Sequence, residues 1–66
     1  MHYQRAIEDF DQAIKLDPKF AEAYWDRGKT YNELGNRQQA LEDWKAAAKL
    51  GNEQAQDILK SKEIKW

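Results

Sequence analysis

The sequence predicts an all-α fold of about four helices arranged as antiparallel helix–turn–helix units. Three observations carry that expectation. Apolar residues recur at steps of one and three, which draws a stripe along a helix. Three turn signals cut the chain into helix-length segments. Two of those segments also align with one another at a constant offset of 34 residues.

The elements follow in order. Over residues 3–16 the apolar positions are Tyr3, Ala6, Ile7, Phe10, Ala13 and Ile14. Asp17-Pro18 ends that segment, because proline cannot continue a helix and restricts the residue before it. A second helix is expected over 20–34, with Tyr24 and Tyr31 facing inward and Phe20 packed where it begins. Gly35-Asn36 closes it: glycine tolerates the left-handed conformation past a helix end, and asparagine can cap the next helix. Asn36 with Gln39 has the form of a capping box. A third helix over 37–50 repeats the first stripe with Ala40, Leu41, Trp44, Ala47 and Ala48. After Gly51-Asn52 a fourth, over 53–62, has a short stripe of Ala55, Ile58 and Leu59. Its polar face carries Gln54, Gln56, Asp57, Lys60 and Lys62.

Composition removes several function classes. A chain of 66 residues suits one small domain or a piece of a larger one, and its core is small. There is no cysteine, so disulfides and thiolate metal sites are excluded. One histidine, His2, cannot make a histidine-based zinc site alone. Eleven basic residues against twelve acidic ones leave no footprint for nucleic acid. Lys60, Lys62 and Lys65 read as a solvated helix end. No segment is long and apolar enough to span a membrane, and nothing has the form of a secretory signal. A cytoplasmic location is the default expectation.

The repeat is more than shared periodicity. Ala6, Ile7, Phe10, Ala13 and Leu16 align with Ala40, Leu41, Trp44, Ala47 and Leu50, and Glu8, Asp9 and Lys15 with Glu42, Asp43 and Lys49. With Tyr24, Gly28, Tyr31, Ala40 and an aromatic at 44 in register, the chain resembles the tetratricopeptide repeat (TPR) family. It departs at Arg27, where the family usually has leucine, and at Asn52, one period after Pro18. The resemblance implies a fragment of an α-solenoid in three parts: 1–20 as the second helix of a partial repeat, 21–54 as a complete repeat, and 55–66 as a C-terminal capping helix.

Gly28-Lys29-Thr30 has the ending of a phosphate-binding loop. The motif's first glycine would fall at position 23, which is Ala23, and the segment lies inside a helix rather than between strand and helix. Glycine inside a helix costs about 1 kcal/mol relative to alanine, so it needs another reason. In the paired-helix frame, Gly28 is the small residue that admits Ala40 and Trp44. The carboxylates read as helix-face partners of lysines: Asp11 with Lys15, Glu22 and Asp26 with Lys29, Glu42 with Lys45. Ser61 and Thr30 lack a histidine base. No catalytic residue, cofactor site or metal site is expected, and the chain is not expected to be an enzyme.

Trp25 lies about 100° round the helix from Tyr24, off the inward stripe. The resemblance makes that face the concave groove, with Glu22, Trp25, Lys29, Asn32 and Glu33 at groove positions. An aromatic among charges suits a protein-binding hot spot; equally, Trp25 covers a neighbouring helix. A clamp for a terminal carboxylate, which some family members carry, is disfavoured, since only Lys29 fits it and Asp26 would repel the ligand. The expected function is therefore binding of a protein or peptide partner. Two alternatives stand beside it. One is a self-associating capping fragment of a longer array, such as a homodimer formed by helix exchange across the open flank of the first helix. The other is a regulatory repeat belonging to a catalytic domain not present in this sequence.

Overall fold

Backbone chemistry sets the corners of the chain. In the computed structural model, which describes residues 2–66, the helices are α1 (Tyr3–Leu16), α2 (Ala21–Glu33), α3 (Arg37–Lys49) and α4 (Glu53–Ser61). Each bound lies within one residue of the sequence expectation.

Between α1 and α2, Phe20 donates its N–H to the Asp17 carbonyl at 3.0 Å, and Lys19 donates to Asp17 Oδ1 at 3.1 Å. Aspartate first and proline second is the favoured chemistry of such a turn. Phe20 is 44% exposed rather than packed at the start of α2. Its backbone closes the turn and starts α2 by accepting from Ala23, which leaves the side chain outside the inward stripe.

The other two corners end helices in the same way. Gly35 and Gly51 take φ of 82° and 99°, where glycine has no steric penalty. Asn36 donates to the Tyr31 carbonyl and Asn52 to the Ala47 carbonyl, both at 2.9 Å, closing six-residue rings over the helix ends. The expected capping box does not form. The Asn36 N–H is already spent on Tyr31, so Gln39 cannot take it, and the two side chains bond each other instead. Asn52 does cap its helix, accepting from the Ala55 N–H at 2.7 Å. Gln56, expected on the polar face, donates to the Ala48 carbonyl at 3.0 Å and so ties α4 to α3. At the end of α4 the same ring recurs with a non-glycine corner: Ile64 donates to Leu59 at 2.9 Å while Glu63 takes φ of 58°.

The packing is serial, α1 on α2, α2 on α3, α3 on α4. Short connections make neighbours antiparallel. The molecule measures 31 × 26 × 14 Å, so the helices, each about 10 Å across, form a thin layer. Its core belongs mainly to α3, whose Ala40, Trp44, Ala47 and Ala48 join Ala55 and Leu59 of α4. Tyr24, Trp25 and Tyr31 of α2 pack against that cluster. On α1 only Ile7 is fully buried; Ala6, Phe10, Ala13 and Ile14 stay half-buried.

The tightest approach lies between α2 and α3. A Cβ added at Gly28 would sit 2.6 Å from both Cδ1 and Nε1 of Trp44, and 3.2 Å from the Ala40 carbonyl oxygen. The glycine is thus a close-approach residue. Gly28→Ala should destabilise the chain by about 1–2 kcal/mol in urea unfolding, overpacking outweighing the gain in helix propensity. An unchanged or raised midpoint would refute that account. Glu63→Gly should raise stability by about 0.5–1 kcal/mol, because it relieves a left-handed conformation that side chains disfavour. The same denaturation series measures it.

Candidate functional site

The five groove-face residues are spaced 22, 25, 29, 32 and 33 on α2, which puts them along one side of that helix. The structure leaves Glu22, Lys29, Asn32 and Glu33 exposed and Trp25 half-buried. Trp25 leans on Trp44, with ring centroids 5.8 Å apart and planes tilted by 38°. Its inner side therefore covers the α2–α3 junction, and its outer side contributes an apolar edge to an otherwise polar face. Lys29 Nζ lies 5.6 Å from the centroid of the Trp25 ring and 3.5 Å from Asp26 Oδ1. A cation, an aromatic edge and exposed carboxylates thus sit within about three turns of one helix.

Glu33, at the far end of this face, is drawn toward α1. A hydrogen bond with Glu33 is the main reason the Tyr3 hydroxyl is held above its ordinary pKa, with burial and the carboxylate charge adding to it. The Gly28-Lys29-Thr30 segment lies within α2, and the Thr30 hydroxyl donates back to the Asp26 carbonyl at 3.1 Å. Its backbone amides lie inside the helix, where they serve the helix's own carbonyls rather than a phosphate.

The strongest polar feature was not read from the sequence. Arg27 joins three helices. Its Nε and Nη2 donate to the two carboxylate oxygens of Asp43 on α3 at 2.8 and 2.7 Å, and its Nη1 donates to Asp11 on α1 at 2.8 Å. Its guanidinium also lies 5.6 Å from the Tyr24 ring centroid and 6.0 Å from that of Tyr31. Asp11 is therefore Arg27's partner, not the partner of Lys15 expected from helix spacing. The guanidinium pKa is raised above its ordinary value, chiefly by the Asp43 hydrogen bond and against the effect of burial. Side-chain exposure is 8% for Asp43 and 51% for Asp11, so the Asp43 arm is the costly one to break.

Two open concavities lie elsewhere on the surface. One of about 400 Å³ is lined by Asp11, Arg27, Tyr31, Gln39, Glu42 and Asp43. The other, about 480 Å³, is lined by Lys60, Glu63, Ile64, Lys65 and Trp66 beyond α4. Neither contains a residue of the α2 groove face. Among the described residues, no cluster of three or more histidine or acidic side chains could hold a metal ion, and no helix is long and apolar enough to cross a membrane.

Comparison with known proteins gives two family matches. A family model described as TPR repeat matches residues 2–35, and one described as tetratricopeptide repeat matches residues 21–54. Among curated proteins, the chain is 40% identical over 47 residues to a serine/threonine-protein phosphatase T of Aspergillus oryzae, which is 71% of this chain and 10% of that protein. It is 38% identical over 45 residues to a phosphatase of the same name from Trypanosoma brucei brucei, covering 68% of this chain and 10% of that one. The chain thus spans about a tenth of the length of these relatives. No solved structure matches it.

The three-helix role of Arg27 can be measured. Arg27→Met leaves Asp43 buried without its fork and should cost about 3 kcal/mol. Adding Asp43→Leu should recover most of that loss, since two apolar groups replace the pair. If the double variant is no more stable than the single one in chemical denaturation, the buried charge is not the source of the cost.

Proposed function

The chain belongs to the tetratricopeptide repeat family, and from that premise we propose that it holds a partner peptide or helix on the exposed face of α2, around Trp25. Family membership makes it a protein-interaction module in general terms. The observation that supports this particular face is the Trp25–Lys29 pair. Trp25 is anchored on one side by Trp44 and open on the other, so a partner side chain can be buried there without first ordering the indole. Lys29, Asn32 and Glu22 give the polar rim that fixes orientation. Glu33 contributes as a support, through Tyr3, as well as by its charge.

This reading assigns no chemistry to the chain itself. The phosphatase relatives support a version of the regulatory alternative, in which such a repeat segment brings partners to a catalytic domain elsewhere in a longer protein. The division into a partial repeat (1–20), a complete one (21–54) and a cap (55–66), and a cytoplasmic setting, belong to the same proposal. Self-association finds its candidate surface on α1 rather than on this face.

A displayed peptide library selected on the 66-residue chain tests the reading. Trp25→Ala should weaken the selected peptides by about 2 kcal/mol, and Lys29→Glu should change which peptides are selected. Peptides that bind both variants as well as they bind the parent chain would place the site elsewhere.

A further inference from the structure

The charges on the α2 face are unevenly spent, and the imbalance defines the partner that suits it. The face carries three carboxylates, Glu22, Asp26 and Glu33, and one ammonium, Lys29. Lys29 is already engaged twice: its Nζ lies 3.5 Å from Asp26 Oδ1 and 5.6 Å from the centroid of the Trp25 ring. The other cation of α2, Arg27, turns to the opposite side, where Asp11 and Asp43 take it. The Glu22 carboxylate enters no hydrogen bond or ion pair among the described residues. Glu33 accepts from the Tyr3 hydroxyl, an uncharged donor that leaves its negative charge uncompensated. Both of these glutamates are exposed.

Their placement adds a length scale. Along the helix axis Glu22 lies about 5 Å before Trp25, and Glu33 lies about 12 Å beyond it. An extended backbone covers those spans in about one to two and about three to four residues, fewer than a helix would have to order. We propose that the α2 face takes a short, extended, basic segment of a partner protein. An aliphatic side chain lies on the outer edge of Trp25. A lysine or arginine next to it meets Glu22, and a second one, on its other side, meets Glu33. The inference rests on the reading of this face as the binding surface and adds the partner's charge to it. An acidic segment would bring like charge to both glutamates, and the one ammonium it could meet is held by Asp26. Exposed ion pairs contribute little energy each, so they select and orient while burial against the indole supplies affinity.

Three end-capped hexapeptides are the probes, titrated at low salt into the isotope-labelled full chain. One is Lys-Leu-Ser-Gly-Ser-Lys; in the others both lysines are replaced by glutamine or by glutamate. Shifts at Glu22, Trp25 and Glu33 should saturate with the lysine peptide, which binds about tenfold more tightly than the glutamate peptide. Added salt should narrow that gap. Glu22→Gln in the chain should weaken the lysine peptide about threefold. Lys29→Gln should tighten it by a similar factor, because Asp26 is then released, and misfolding cannot produce a gain in affinity. Equal binding of all three peptides, lost in Trp25→Ala, keeps the face as the site but overturns the basic preference. Tighter binding of the glutamate peptide overturns it too. Absence of saturable shifts at Trp25 with any of the three also overturns the inference; the reading beneath it falls only if the displayed library yields no Trp25-dependent peptide either.

Discussion

The contact on which the other features depend is the passage of Gly28 over Ala40 and Trp44. Two helices can approach this closely only where one of them carries no side chain at the crossing, and one added carbon on α2 would collide with the Trp44 indole at 2.6 Å. The approach lets Trp44 become almost wholly buried, and Trp44 is the largest member of the core. Trp25 then has a ring to rest on, which steadies the candidate binding face. In a chain this small the hydrophobic core is thin, so losing one such contact removes a large part of the net stability.

Arg27 acts beside that contact in a different way. It stands where the family usually places leucine, so an apolar position has been given to a charge. Partly burying a guanidinium is tolerable because Asp43 satisfies it in two places and two tyrosines flank it. The arm to Asp11 reaches the opposite neighbour of α2, so one side chain spans both of its interfaces. Stability from such a group is modest, but a fork that must meet two carboxylates constrains how the neighbouring helices sit.

Much of the fold was legible because its determinants are local. Pro18, Gly35 and Gly51 act on their own backbone, and the stripes need only the helical period, so four helices and their order could be read directly. The Gly28 contact was legible through the offset of 34, which placed it against Ala40 and Trp44. The Arg27 bridge was not, because lysines three and four residues from the acids offered a nearer explanation. Its signal was nonetheless present: Asp11 and Asp43 lie 16 residues before and after Arg27, one antiparallel helix away on each side. The capping box failed for a related reason, since the Asn36 N–H served the preceding helix end before it could serve the next. Of the candidate face, the spacing was legible and the tie between Glu33 and Tyr3 was not, because it crosses from α2 to α1.

The tilted pair of indoles also gives the molecule an optical gauge of its own integrity. Trp25 and Trp44 belong to different helices, yet their rings lie 5.8 Å apart at 38°. Chromophores held so close and inclined to one another couple electronically and impose a chiral signature on absorbed light. That signature requires α2 and α3 to be seated together, whatever the helix content of each. Ligands that lift the outer side of Trp25, and changes that part the two helices, are therefore distinguishable without any label: the first perturbs the emission of one indole, the second erases the coupling between both.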